Sequence, residues 1–104
     1  MTVLDRAHFD HMTGADRALQ AEVAGLFRAQ AESWAAACDG AEDWRAAVHT
    51  IKGSARGIGL NALAAACEAA ESAVDAERSA ALAGVRAALD EALAALEQFA
   101  AEAA

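Results

Sequence analysis

Apolar residues recur at three- and four-residue intervals along most of this chain, and no stretch alternates in the two-residue rhythm of a strand. The spacing predicts a short first helix over about Val3 to His11, lying across one end of the molecule. Thr13-Gly14-Ala15-Asp16 then resembles a capping box with Asp in place of Glu. Behind it Leu19, Val23, Leu26, Phe27, Gln30, Trp34 and Cys38 follow helical spacing as far as Asp39-Gly40. The next helix opens with Glu42 and Asp43 in its first turn, where the helix dipole favours anions. Its seam is Trp44, Val48, Ile51, Ala55 and Ile58, and Gly57 and Gly59 mark its end.

Asn61 is placed to cap the following helix, which carries Leu63, Cys67, Ala70 and Val74 on one face. After a break near Asp75 to Ser79 comes a heptad-like stripe of Leu82, Val85, Leu89, Ala92, Leu96 and Phe99. Four amphipathic helices joined by short turns are expected to pack as an antiparallel up-down bundle. The predicted fold is therefore all-α, a four-helix bundle with a short additional N-terminal helix, over a single domain of residues 1–104.

Composition strengthens this picture. The chain has no Pro, and Ala, the best helix former, is abundant. Hydrophobic residues make up 57% of its 104 positions, enough for a core that needs neither disulfide nor metal. Cys38 and Cys67 fall at apolar helical positions and are expected to be buried thiols. The net charge of −8 disfavours nucleic acid and anionic membranes as partners. No apolar run is long enough to span a bilayer and no secretory leader is visible, so a cytoplasmic location is expected. His8 and His11 have a metal-like spacing but no third ligand, and no metal is expected.

Candidate chemistry gathers on the second long helix. At about 100° per residue, His49 lies nearly opposite the apolar seam, and Lys52, Gly53 and Arg56 fall on the same polar strip. Lys52 is the only lysine, and three of the eight cations (Arg45, Lys52, Arg56) crowd this helix. A surface histidine on a solvated helix is the bland account. It leaves Gly53 unexplained, since an interior helical Gly costs about 1 kcal/mol relative to Ala. A bare backbone beside an exposed imidazole suggests that something approaches closely, and the neighbouring cation suggests that this group is anionic. That combination fits phosphoryl transfer onto nitrogen.

The hairpin adds one more residue. With Leu60 as the turn, His49 lies eleven residues before it and Glu71 eleven after, so an antiparallel pair puts them at one height. A carboxylate there can accept Nδ1–H of the imidazole and leave Nε2 as the nucleophile. The alternative is an ordinary solvated glutamate. A G-x-x-x-G-x-G reading of Gly53 to Gly59 as a dinucleotide phosphate loop is set aside, because such a loop must follow a strand.

The run His49-Thr-Ile-Lys52-Gly53-Ser54-Ala-Arg-Gly-Ile58-Gly59-Leu60 closely resembles the H-x-x-K-G-S motif of histidine-containing phosphotransfer domains. The likeness extends through Leu63, Cys67 and Glu71, and back through Asp16, Leu19 and Phe27. The resemblance implies His49 as phosphoacceptor, Lys52 steadying the phosphoryl oxygens and Gly53 giving the partner's aspartate access. It also implies Glu71 orienting the histidine, as in some relatives.

The function so implied is that of a phosphocarrier in a two-component phosphorelay. His49 would take a phosphoryl group from a receiver-domain aspartate and pass it to another receiver. The expected partners are receiver domains of response regulators or a hybrid histidine kinase, with no cofactor held by this chain and Mg²⁺ supplied by the receiver. No nucleotide-binding segment is visible, so the chain is expected to be a covalent carrier and not an enzyme with its own kinase activity. Two alternatives are a helical adaptor or kinase inhibitor without phosphate chemistry, and an acceptor phosphorylated directly by a kinase's ATP-binding domain. A monomer is expected, because the seams are consumed within one bundle.

Overall fold

A computed structural model describes residues 1–40 and 42–103 of the chain. Among them are five α-helices: α1 (Arg6–Met12), α2 (Arg17–Ala37), α3 (Trp44–Ile58), α4 (Asn61–Glu71) and α5 (Arg78–Ala103), with a 3₁₀ turn at Asp75–Glu77 before α5. No strand occurs among the described residues. The long helices close a bundle, α2 against α3, α3 against α4, α4 against α5 and α5 back against α2.

The seams of α3 and α5 are those predicted. Trp44, Val48, Ile51, Ala55 and Ile58 are buried, and so are Leu82, Val85, Leu89, Ala92, Leu96 and Phe99. The face of α2 is turned from its expected position. Gln20, Phe27, Ala31 and Trp34 are its buried residues, whereas Leu19, Leu26 and Gln30 face outward. Leu26 and Phe27 are neighbours, and about 100° separates them on a helix. The larger ring goes inside and stacks edge-on against Trp34, with centroids 5.2 Å apart.

Several helix ends also differ from expectation. Asp16 itself caps α2, accepting a hydrogen bond from Leu19 N at 3.1 Å. Thr13 instead closes α1, and its buried hydroxyl donates to Phe9 O at 2.7 Å. Glu42 and Asp43 precede α3, which begins at Trp44. Asn61 is the first residue of α4 and not its cap; Leu60 holds the cap position without a side-chain bond. Because α4 stops at Glu71, Val74 lies beyond its buried face and is 61% exposed.

The α3–α4 turn is anchored by backbone hydrogen bonds from both sides. Gly59 takes a left-handed conformation (φ 95°), and the amides of Gly59 and Leu60 both donate to Ala55 O, at 2.9 and 2.8 Å. The N-terminal segment straps this turn: Asp5 N donates to Gly59 O at 2.8 Å, and Ala62 N donates to Thr2 O at 3.1 Å. The short hairpin thus holds α3 and α4 in one register, on which the next element of structure depends.

Candidate functional site

His49 and Lys52 are one turn apart on α3, and Glu71 is the last residue of α4. The seam Val48–Ile51–Ala55 is buried against the bundle, which forces His49 outward. Its side chain is 75% exposed. The hairpin register brings Glu71 beside it, with Oε1 3.5 Å from His49 Nδ1. That separation is an ionic approach and slightly longer than a hydrogen bond.

Lys52 is turned into the α3–α4 seam and away from solvent. Its Nζ donates to Glu71 Oε2 at 2.9 Å and lies 2.9 Å from Oε1 as well, while its side chain is only 15% exposed. The contact to Oε1 is off the hydrogen-bond direction, so that buried oxygen has no hydrogen-bond partner. The Lys52 hydrogen bond lowers the Glu71 carboxyl below its ordinary value, against the opposing effect of burial. The charges of Lys52 and His49 add to the lowering. Glu71 is thus an anion wedged between an ammonium and an imidazole.

The other two cations of α3 also reach toward α4 and its end. Arg56 meets Glu68 at 3.4 Å. Arg45 lies over the Trp44 ring, with Nη1 3.5 Å from Glu71 O and Nη2 4.0 Å from Asp75. One turn before Glu71, the Cys67 thiol is pushed up to about 12, mainly by burial, with Cys38 and then Glu71 adding to the effect. Both cysteines are free and buried.

Gly53 lies on the other side of the histidine. A Cβ added there would meet nothing within 4 Å, so internal packing does not require a glycine. Gly25 and Gly84 are equally open, but only Gly53 stands one turn from an exposed histidine. Beyond Gly53 runs a shallow groove floored by Gly57 and Ile58 and walled by Met12, Val23 and Leu26. Met12 and Leu26 are 51% and 63% exposed. Sequence reasoning missed this groove, because it assigned Leu26 to the core; the adjacent apolar pair Leu26-Phe27 was the available signal.

The four residues singled out from the sequence therefore meet at one place: His49 outermost, Glu71 behind it, Lys52 beneath, Gly53 alongside. Among the described residues no cluster of His, Cys, Asp and Glu could hold a metal, and His8 and His11 are not drawn into one. His8 Nε2 instead lies 3.1 Å from Gly57 O, tying α1 to α3.

Compared with models of known protein families, residues 8–102 match the Hpt domain. The chain belongs to the Hpt domain family. Comparison with curated proteins and with solved structures gives no match. Hpt domains act in His–Asp phosphorelays, as phosphocarriers and not as kinases, and they interact with receiver domains of response regulators and with kinases. The Hpt assignment agrees with the all-helical fold, and no described helix of this Hpt chain is long and apolar enough to cross a membrane.

Proposed function

We propose that His49 carries the phosphoryl group, taking it at Nε2 from an aspartyl phosphate on one receiver domain and passing it to another. The observation that supports this most is the exposed imidazole with a carboxylate 3.5 Å behind Nδ1 and open space beside Gly53. A carboxylate at Nδ1 favours the tautomer whose Nε2 lone pair points to solvent. Lys52, one turn along α3 from His49, is the cation assigned to the phosphoryl oxygens in this reading. Gly53 leaves room for the partner's aspartate. Because the transition state of phosphoryl transfer is loose, positioning and charge neutralisation carry most of the catalysis. The chain holds no cofactor of its own in this reading, and the Mg²⁺ belongs to the receiver.

The apolar groove beside Gly53 is the docking face in the same reading, because it begins at Gly53, one turn along α3 from His49. Exposed Met12 and Leu26 supply apolar area for a receiver domain to cover. Incubation with a phosphorylated receiver, or with labelled ATP and a kinase ATP-binding domain, tests the proposal. Label arriving on His49 from the receiver supports it. Label arriving only from the kinase makes the chain a direct kinase substrate, and no label from either makes it an adaptor.

A further inference from the structure

A second concavity lies on a face of the bundle that the His49 site does not use. There α1, α2 and α5 together line a cleft of about 210 Å³. Phe9, Leu96 and Phe99 form its floor, all of them buried, and the Phe9 and Phe99 rings meet edge-on with centroids 5.3 Å apart. Ala21 and Ala24 of α2 and Ala100 of α5 form its walls, where short side chains leave the space open. None of these residues borders the groove beside Gly53.

The two polar residues that line the cleft, Arg17 and Gln20, stand one turn apart on α2. Gln20 is 3% exposed, and its amide donates to Asp10 Oδ1 at 2.7 Å and to Thr13 Oγ1 at 2.9 Å. Its carbonyl accepts from Arg17 Nη1 at 2.8 Å. Among the described residues this is the one hydrogen bond of the Arg17 side chain, and the approach to Asp10 is longer, at 3.7 Å. Most of the guanidinium N–H donors are therefore unused. Arg17 is held over the Phe99 ring, with Cζ 5.4 Å from its centroid. Arg6 lies over the same ring at 5.5 Å, and its charge is matched by Glu102.

We infer that this cleft binds a small amphiphile, with an apolar body seated on Phe9 and Phe99 and a single carboxylate on Arg17. A dry apolar cavity of about 150 Å³ accepts benzene, so this one suits a body of roughly eight carbons.

Water fits the cleft poorly. A held water needs roughly two to four polar partners, and the buried floor offers only an amide whose donors are already taken. Displacing loosely held water with hydrocarbon is favourable. Arg17 then selects the head group. Its planar fork matches the two oxygens of a carboxylate, and the ring beneath holds that fork in place before a ligand arrives. Asp10 does not take this role, because its Oδ1 already accepts from Gln20 and stands beyond hydrogen-bond distance of Arg17. A cationic head would be repelled at the same place, and an uncharged one would forfeit the charge-assisted pair.

The test titrates octanoate and 3-phenylpropionate into the full ¹⁵N-labelled chain, with octan-1-ol as the uncharged control. Saturable ¹H–¹⁵N shifts gathered on α1, the first half of α2 and the end of α5 are expected. The Kd should lie below about 1 mM, in keeping with ligands of roughly ten non-hydrogen atoms. Octan-1-ol should bind about tenfold more weakly or worse, and Arg17→Gln should remove that preference by weakening octanoate alone. Ala24→Leu should abolish binding of all three, since the longer side chain occupies the cleft; Ala21→Leu serves in its place if that variant fails to fold. No saturable shift from either carboxylate overturns the proposal, as do shifts spread over the whole surface. Octanoate binding that survives in the folded filling variant overturns it too, and so does equal affinity for octanoate and octan-1-ol.

Discussion

Lys52 and Glu71 form the closest ion pair at the α3–α4 seam, with Nζ 2.9 Å from each carboxylate oxygen. The two residues are nineteen positions apart, and only the hairpin about Gly59 and Leu60 brings them together. The pair has a pH signature. Glu71 titrates below its ordinary value of 4.5 in the folded chain. A carboxyl with a depressed folded pKa contributes stability that is complete above the unfolded value and is lost as pH falls through the folded one. The stability advantage of wild type over Glu71→Gln should therefore shrink as pH drops below 4.5. Thermal melts across that window measure it, and an advantage that grows on acidification would show the sign to be wrong.

His49→Gln should remain folded and lose phosphate acceptance. The side chain is 75% exposed, and exposed polar substitutions usually change stability by less than about 0.5 kcal/mol. The label on wild type should be acid-labile and alkali-stable, as a phosphoramidate is. Transfer to His49→Gln at the wild-type rate would move the acceptor elsewhere.

Gly53 separates access from stability. Because an added Cβ meets nothing, Gly53→Ala should stabilise the chain by up to about 1 kcal/mol. Gly53→Gln should fold equally well yet slow transfer sharply, since the longer side chain fills the approach to His49. Stopped-flow transfer beside a denaturant titration reads both quantities, and unimpaired transfer in a stable Gly53→Gln chain removes the steric role.

Gly59 should behave in the opposite way. Its φ of 95° strains any L side chain, and a Cβ would lie 3.0 Å from His8 and 3.1 Å from Asp5 O. Gly59→Ala should cost about 1–3 kcal/mol. It should also slow transfer indirectly, because the turn sets the height of Glu71 against His49. A neutral effect in chemical denaturation would mean that the N-terminal strap does not constrain the turn.

Leu26 is 63% exposed and borders the groove beside Gly53. Leu26→Ser should leave the melting temperature nearly unchanged and weaken binding to a receiver. Calorimetric titration with a cognate receiver checks this, and undiminished affinity would place the docking face elsewhere on the bundle.

The helical class, the seams of α3 and α5, the turn at Gly59 and the nearness of Glu71 to His49 were legible in the chain. Each rests on local physics: apolar spacing read against 3.6 residues per turn, glycine's freedom at positive φ, and an outward histidine opposite its own seam. The equal distances of His49 and Glu71 from Leu60 even predicted their meeting, because a short antiparallel hairpin turns chain separation into height. Three other features were decided by tertiary contacts. Phe27 and not Leu26 enters the core because of the neighbouring helices, a choice that two adjacent apolar residues leave open. Leu60, and not Asn61, takes the cap position of α4 in a turn that the N-terminal segment straps at Gly59 and Ala62. Lys52, equally able to reach solvent from its polar strip, is drawn into the seam by a carboxylate on another helix. Helical periodicity orients a side chain relative to its own axis, but which partner it meets depends on how the axes pack.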